Sequence, residues 1–126
     1  ISHHYGPDNL NQYGIGMITV VNDDYCKKFL VMRAKQSHPA QFHRKKTETF
    51  ILLSGNVVVD LDGEKQTLKL GEPLTIKPEV VHSFTAKADS VIEELSTTHM
   101  SDDSFYLDEQ ILSNEKRKSF VTISTA

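Results

Sequence analysis

The chain has 126 residues, of which 38% are hydrophobic and 25% are charged, and its formal net charge is −3. This length predicts one globular domain with a single core, and the negative charge gives no support to a nucleic-acid partner. No apolar run approaches the about 20 residues that cross a membrane, so a membrane partner is not expected. Cys26 is the only cysteine. It cannot form an intramolecular disulfide and is interpreted as a packed strand residue in a reducing, cytoplasmic location.

Short β-type segments separated by turn residues follow a polar N-terminal extension, in which residues 6–13 are predicted to form one short helix. About eight strands are predicted, at residues 17–21, 25–33, 47–53, 57–61, 68–70, 74–76, 82–84 and 91–97. The Asp62-Gly63 pair predicts a tight hairpin turn. The polar tail is expected to hold a helical turn near 107–112 and a last strand at 120–124, which could pair with another chain. This pattern predicts an all-β sandwich or barrel, because no helix is long enough for a βαβ unit.

The sequence begins Ile-Ser-His-His-Tyr rather than with methionine. A trimmed or tagged chain would explain this start, and so would a domain cut from a longer polypeptide. We expect a single domain over residues 1–126 that has been cut from a longer polypeptide.

The stretch SHPAQFHRKKTETFILLSG, residues 37–55, carries the clearest chemical signal. Gln41 and His43 share a strand face because they are two residues apart. Glu48 begins an apolar strand, where a carboxylate needs a partner such as a divalent cation. With His82 from a later strand, these residues predict a metal centre of Gln41, His43, Glu48 and His82.

Imidazole, carboxylate and amide-oxygen ligands suit a six-coordinate ion, with Mn²⁺ preferred, Fe²⁺ or Ni²⁺ as alternatives and Zn²⁺ less favoured. The competing interpretation is a solvated loop histidine, a salt-bridged glutamate and a core histidine. Gln41 would be a weaker ligand than a histidine. His38 is a fallback ligand, although its spacing from His43 puts it on the opposite face unless Pro39 distorts the strand.

Two motifs resemble those of the cupin superfamily. Gln41-x-His43-x4-Glu48-x6-Gly55 is similar to the first cupin motif with glutamine in place of its first histidine. Gly71-x6-Pro78-x3-His82 is similar to the second motif, with one residue fewer before the histidine. The resemblance implies a single cupin jelly-roll barrel, a double-stranded β-helix, with a short N-terminal extension.

The segment HRKKTE also resembles the His-x-x-Lys-x-Glu core of the cupin D-lyxose isomerases. That resemblance implies Mn²⁺ binding by His43 and Glu48 and a catalytic, proton-transferring role for Lys46. Lys46 could otherwise be a surface lysine of a charge run, but strand parity puts it on the same face as Glu48 and favours an inward position. The late strand EELSTTH resembles the same family and implies Glu94 as a second catalytic acid or base. Strand parity alone leaves open whether Glu93 or Glu94 faces inward.

A longer resemblance, from His3 to Asp108, is to the C-terminal cupin domain of sialic acid synthase-type proteins. It implies a sugar or sugar acid ligand, a homodimer, an attached synthase domain and a place in nonulosonic acid or surface-polysaccharide biosynthesis. The chain departs from that domain at Gln41 and Thr47, where the domain has His and Glu.

Three functions are therefore expected, in decreasing order of preference. The first is a sugar-binding, metal-binding cupin domain, the second a metal-dependent aldose–ketose isomerase or epimerase, and the third a cupin dioxygenase, for which too few imidazoles remain. The sequence does not decide whether the chain is an enzyme. His3, His4 and His99 are interpreted as surface residues, and Tyr106 and Asp108 as lining either a pocket mouth or a dimer contact.

Overall fold

A computed structural model describes residues 2–3 and 16–107, which form two antiparallel β-sheets. These ranges contain no helix, and so none that is long and apolar enough to cross a membrane. The strands are β1 (Ser2–His3), β2 (Gly16–Asn22), β3 (Tyr25–Met32), β4 (Ser37–Phe42), β5 (Glu48–Ser54), β6 (Val57–Leu61), β7 (Glu64–Thr67), β8 (Pro73–Ile76), β9 (His82–Ala86), β10 (Ser90–Thr97) and β11 (Phe105–Tyr106). The predicted all-β class is confirmed.

The two sheets have the interleaved strand order of a jelly roll. The six-stranded sheet runs β1-β2-β3-β10-β5-β8, and the five-stranded sheet runs β11-β4-β9-β6-β7. In the first sheet β10 lies between β3 and β5, and in the second β9 lies between β4 and β6. Strands distant in sequence therefore become neighbours, which brings motif residues from β4, β5, β9 and β10 to one region.

The core forms where the inward faces of the two sheets meet. Residues of β3, β5, β6, β9 and β10 alternate between buried and more exposed positions, as expected for strands with one face inward. The buried apolar cluster consists of Leu30, Met32, Phe50, Leu52, Val57, Val59, Leu68, Ile76, Phe84, Ala86 and Ile92. The predicted packing of Cys26 is confirmed, because its side chain is completely buried.

Gly55 allows the tight passage from β5 to β6. Its φ is +96°, and a Cβ placed there would lie 2.1 Å from Ser90 Oγ and 2.5 Å from the Asp89 carbonyl oxygen. Any larger residue would therefore collide with the start of β10 as well as strain the backbone. This fixes the end of the first cupin-like motif against the start of the neighbouring strand β10.

The hairpin after β6 differs from the prediction at its second strand. Asp62 and Gly63 have φ values of 50° and 92°, as a tight turn of this kind requires. The return strand is Glu64–Thr67, so Leu68 and Leu70 lie beyond it. The predicted helix at 6–13 and last strand at 120–124 lie outside the described residues, as does nearly all of the helical turn near 107–112.

Candidate metal centre

Cross-strand register separates an apolar end of the barrel interior from a polar end. In the first sheet, Leu30 and Leu52 flank Ile92, and two residues further along Glu94 lies between Lys28 and Phe50. In the second sheet His82 pairs with Gln41 of β4. The polar side chains predicted from widely separated segments therefore meet beyond the apolar core.

His43, Glu48 and His82 form the centre of this polar end. All three are 3% exposed or less. Glu48 Oε1 lies 2.9 Å from His43 Nε2 and 3.2 Å from His82 Nε2. One ligand atom from each residue lies within 4.8 Å of the other two, which makes the group a candidate site for a divalent metal ion.

Hydrogen bonds to the backbone determine which imidazole nitrogen is available. His43 Nδ1 lies 2.7 Å from the Asp103 carbonyl oxygen, and His82 Nδ1 lies 3.0 Å from the Val80 carbonyl oxygen. A carbonyl oxygen can only accept, so each Nδ1 is the donor and each Nε2 of the neutral ring keeps its lone pair. Metal-binding histidines commonly have this arrangement, with the second nitrogen held by an outer partner.

The unpaired atoms of the site fit a bound cation. Within the described part of the chain, four buried side-chain atoms lack a hydrogen-bond partner: Gln41 Oε1, His43 Nε2, Glu48 Oε1 and His82 Nε2. The close contacts of Glu48 Oε1 with the two Nε2 atoms lack hydrogen-bond alignment despite their ion-pair distances. These four atoms are all hydrogen-bond acceptors, and no proton lies between them, so they repel one another. A divalent cation bound among them would remove that repulsion.

Gln41 is oriented by His38. The side-chain nitrogen of Gln41 lies 3.2 Å from Nδ1 and 3.1 Å from Nε2 of His38, and His38 Nδ1 also contacts the Pro39 carbonyl oxygen. The Gln41 amide therefore donates to His38 through its nitrogen and leaves Oε1 available. The pairing of β4 with β9 shifts between His38 and Gln41, so both side chains are buried although simple alternation puts them on opposite faces.

Asp103 holds the loop that carries His43 and Lys46. Its carboxylate accepts hydrogen bonds from the backbone N–H groups of Arg44, Lys45 and Lys46 at 2.9–3.2 Å. Its own carbonyl oxygen accepts the His43 Nδ1 proton. One buried residue thus fixes both the backbone of the loop and the orientation of a candidate ligand.

Lys46 connects the candidate metal site to Glu94. Its ammonium nitrogen lies 3.3 Å from Glu48 Oε2, 3.5 Å from Glu94 Oε2 and 3.2 Å from His99 Nδ1. Burial would lower the pKa of Lys46, but the carboxylates of Glu94 and Glu48 outweigh it and raise that pKa above its usual range. Lys46 is therefore a stable cation rather than a surface lysine.

The pKa of Glu48 also reflects this network. Burial would raise it, yet the Lys46 ammonium beside Oε2 holds the pKa of Glu48 well below its usual range. Burial and the positive charges of Lys28 and Lys46 lower the pKa of His99 to about 3. Near neutral pH the centre therefore contains an ionised Glu48 and a neutral His99.

Comparison with known proteins identifies the family. The family model described as a cupin domain matches residues 28–97, more than half of the chain. The chain belongs to the cupin family. A D-lyxose/D-mannose isomerase from Thermosediminibacter oceani is 28% identical over 128 aligned positions, which span 79% of this cupin and 71% of the isomerase.

Solved structures share the fold of this cupin. A protein with a double-stranded β-helix domain from Klebsiella pneumoniae has a TM-score of 0.70 at 16% identity, over 83% of this chain and 92% of its own. KdgF from Halomonas sp. has a TM-score of 0.66 at 20% identity, over 75% of this chain and 87% of its own. Similarities at this level of identity support the jelly-roll fold alone.

The structure also decides the questions of orientation that the sequence left open. Glu94 is 3% exposed and faces inward, whereas Glu93 faces outward and pairs with Lys27 at 3.1 Å. Tyr106 is buried on β11 opposite Gln41. His99, expected from the sequence to be a surface residue, is half-buried, and its ring contacts the buried Lys46 ammonium.

The remaining residues singled out in the sequence lie outside the described residues or away from the candidate metal centre's strands. Asp108 and His4 lie outside the described residues, and His3 lies on β1.

Two buried residues of the polar end, Lys28 and Asp103, have no sequence pattern that predicts their burial. Lys28 occupies the inner face of β3 and is 5% exposed, although a lysine in Tyr-Cys-Lys-Lys-Phe suggests a solvated side chain. Asp103 reaches the 44–46 loop from nearly 60 residues away in sequence. Its neighbour Asp102 is exposed, so the identity of the residue alone does not distinguish the two.

Proposed function

We propose that this cupin binds a divalent metal ion, with Mn²⁺ preferred, through His43, Glu48 and His82 with Gln41 as a fourth, weaker ligand, and isomerises or epimerises a sugar in its open-chain form. The observation that carries the proposal is that the two oxygens of the Glu48 carboxylate contact different groups. Its Oε1 contacts the two imidazoles, and its Oε2 contacts Lys46, which also reaches Glu94. A candidate metal centre and an acid/base pair thus share one buried side chain.

When bound, the ion would supply Lewis-acid polarisation of the sugar carbonyl and its neighbouring hydroxyl. Glu94 is the proposed base that takes a proton from the carbon beside the carbonyl and returns it to the adjacent carbon. Lys46 is the proposed donor to the carbonyl oxygen, and it regains a proton from the neighbouring hydroxyl as the enediol collapses. No proton is gained or lost overall, as an aldose–ketose conversion requires.

The 28% identical D-lyxose/D-mannose isomerase supports a small-molecule sugar as the substrate class. The experiment is an NMR assay of Mn²⁺-loaded protein in D₂O over a panel of aldoses and ketoses, because transfer through an exchangeable base places deuterium on the product carbon. Glu94→Gln is expected to reduce turnover by about 10²–10⁴-fold, the usual range for a general acid or base, without loss of bound metal. Glu93→Gln is the matched control, since that neighbour faces outward.

A second candidate is a sugar-binding domain without turnover. The glutamine at position 41 favours it, because an amide oxygen is a weaker ligand than an imidazole and the ion could serve recognition only. Sugar binding to the Mn²⁺-loaded wild-type protein, with no deuterium incorporation for any panel member, would establish this alternative in place of the isomerase.

The biological setting is proposed from the resemblance to sialic acid synthase-type proteins. We place the chain as a cytoplasmic, homodimeric cupin domain of a longer synthase that takes part in nonulosonic acid or surface-polysaccharide biosynthesis. The coding sequence upstream of Ile1 tests this placement. A synthase barrel there is the expected result, and an unrelated sequence would contradict it.

A further inference from the structure

Lys28 is a second buried lysine whose partners differ from those of Lys46. Lys46 lies within 3.5 Å of two carboxylates. Lys28 is 5% exposed, yet within residues 16–107 none of the ion pairs closer than 4.0 Å includes it. A buried ammonium without a close counterion is unfavourable unless a group beyond these residues supplies the missing negative charge.

The position of Lys28 connects it to the candidate metal centre. Lys28 lies directly across from Glu94 in the register of β3 and β10. Burial lowers the pKa of Lys28, Glu94 acts in the opposite direction, and Lys46 adds to the lowering. The same Lys28 charge contributes to the lowered pKa of His99. Its ammonium therefore belongs to the electrostatic environment of the centre, with its charge only partly compensated.

Charge balance indicates what would complete it. The buried charges of the described residues here are two ammonium groups and three carboxylates: Lys28 and Lys46, and Glu48, Glu94 and Asp103. The Asp103 carboxylate is already held by backbone N–H groups of the 44–46 loop. The residues that the structure describes thus contribute one net negative charge here, and a divalent ion changes this to one net positive charge. A ligand with a single negative charge restores neutrality.

We propose that Lys28 binds the carboxylate of an acidic sugar, so that this cupin selects sugar acids over neutral sugars. The proposal rests on the proposed function, because the positive excess requires the bound ion. A neutral sugar would leave the Lys28 ammonium without a charged partner, whereas a carboxylate can form a charge-assisted hydrogen bond with it. A phosphate dianion would exceed the single charge that the site lacks.

The test compares matched ligands on the Mn²⁺-loaded protein: D-mannose with D-mannuronate, and D-galactose with D-galacturonate. Calorimetry is expected to show that at least one acid binds about tenfold or more tightly than its neutral partner, the ratio that one hydrogen bond to a charged group supports. Lys28→Met is expected to reduce the ratio to about twofold or less, while Mn²⁺ binds at least as tightly as in the wild type, because a positive charge is removed from the surroundings of the centre. Lys27→Met is the control, because Lys27 lies on the outer face and pairs with Glu93.

The outcomes separate this proposal from the one on which it rests. Equal affinity for acids and neutral sugars, or an acid preference that survives Lys28→Met, overturns the role of Lys28 and leaves the metal-dependent sugar site standing. If the wild-type protein binds neither Mn²⁺ nor any sugar, both proposals are overturned. Tightest binding of mannose 6-phosphate, dependent on Lys28, overturns the choice of a carboxylate.

A stability measurement guards against a variant that merely misfolds. Lys28→Met removes a buried, incompletely compensated charge, so the ligand-free variant is expected to melt at or above the wild-type temperature. A uronate should then raise the melting temperature of the Mn²⁺-loaded wild type more than that of the variant. A ligand-free variant that melts well below the wild type would show that Lys28 is a structural cation and overturn the proposal.

Discussion

Replacing Lys46 by methionine tests whether this lysine neutralises the centre. The change leaves the carboxylates of Glu48 and Glu94 buried without the ammonium that lies 3.3 and 3.5 Å from them. Removing one partner of a buried ion pair costs about 3–5 kcal/mol. For a domain of this size that corresponds to a fall in melting temperature of about 10–20 °C.

The assay is thermal unfolding followed by circular dichroism in the presence of a chelator. Lys45→Met is the matched control, because Lys45 is exposed and should change stability by less than about 0.5 kcal/mol. Addition of Mn²⁺ is expected to recover part of the loss, since a cation beside Glu48 replaces part of the missing charge. If the two variants had the same melting temperature, the pairing of Lys46 with Glu48 and Glu94 would not stabilise the fold.

Three further predictions concern the backbone, the ligand set and pH. Gly55→Ala should destabilise the fold by about 3 kcal/mol or more in urea, because its Cβ meets Ser90, whereas Gly63→Ala should cost about 1 kcal/mol, since nothing lies within 4 Å there. Gln41→His should raise Mn²⁺ affinity by about tenfold; unchanged affinity would remove position 41 from the ligand set. Unfolded His99 gains a proton below its ordinary pKa of 6.5, while the folded residue stays neutral to about 3. Stability should therefore fall as pH is lowered from 7 to 5, by at most about 2 kcal/mol from this residue, and a His99→Asn variant with an equally steep pH dependence would contradict the assignment.

Strand alternation and turn residues are the features that the sequence reveals well. The apolar run from Glu48 to Leu52, ended by Gly55, predicts an inward-facing strand and a tight turn, and the structure contains both. Alternation works there because the strand is regular and its inner face is apolar. The resemblance of the two motifs to those of cupins then implies that Glu48 and His82 meet, and in the structure Glu48 Oε1 lies 3.2 Å from His82 Nε2.

Alternation fails where the register shifts. His38 and Gln41 are three residues apart, and both are buried because the β4–β9 pairing shifts between them. The contact that orients the Gln41 amide therefore has no local sequence signature.

Charge patterns fail for a different reason. Lys28 and Lys46 stand among other basic residues, which suggests solvated side chains, yet each is buried while its neighbour Lys27 or Lys45 is not. For Lys46, strand parity with Glu48 favours the inward position, whereas nothing in the sequence marks Lys28. Whether such a lysine faces inward depends on carboxylates contributed by a distant strand, here Glu94. That information is available only once β10 is placed beside β3 and β5.

Metal binding at Glu48 is tested by a Mn²⁺ titration of metal-free protein, monitored by electron paramagnetic resonance, for the wild type and Glu48→Gln. We expect one tightly bound ion per wild-type chain and binding weaker by at least about 100-fold in the variant, since the buried anionic ligand is lost. Glu93→Gln should bind like the wild type. Equal Mn²⁺ affinity in wild type and Glu48→Gln would contradict a metal centre at His43, Glu48 and His82.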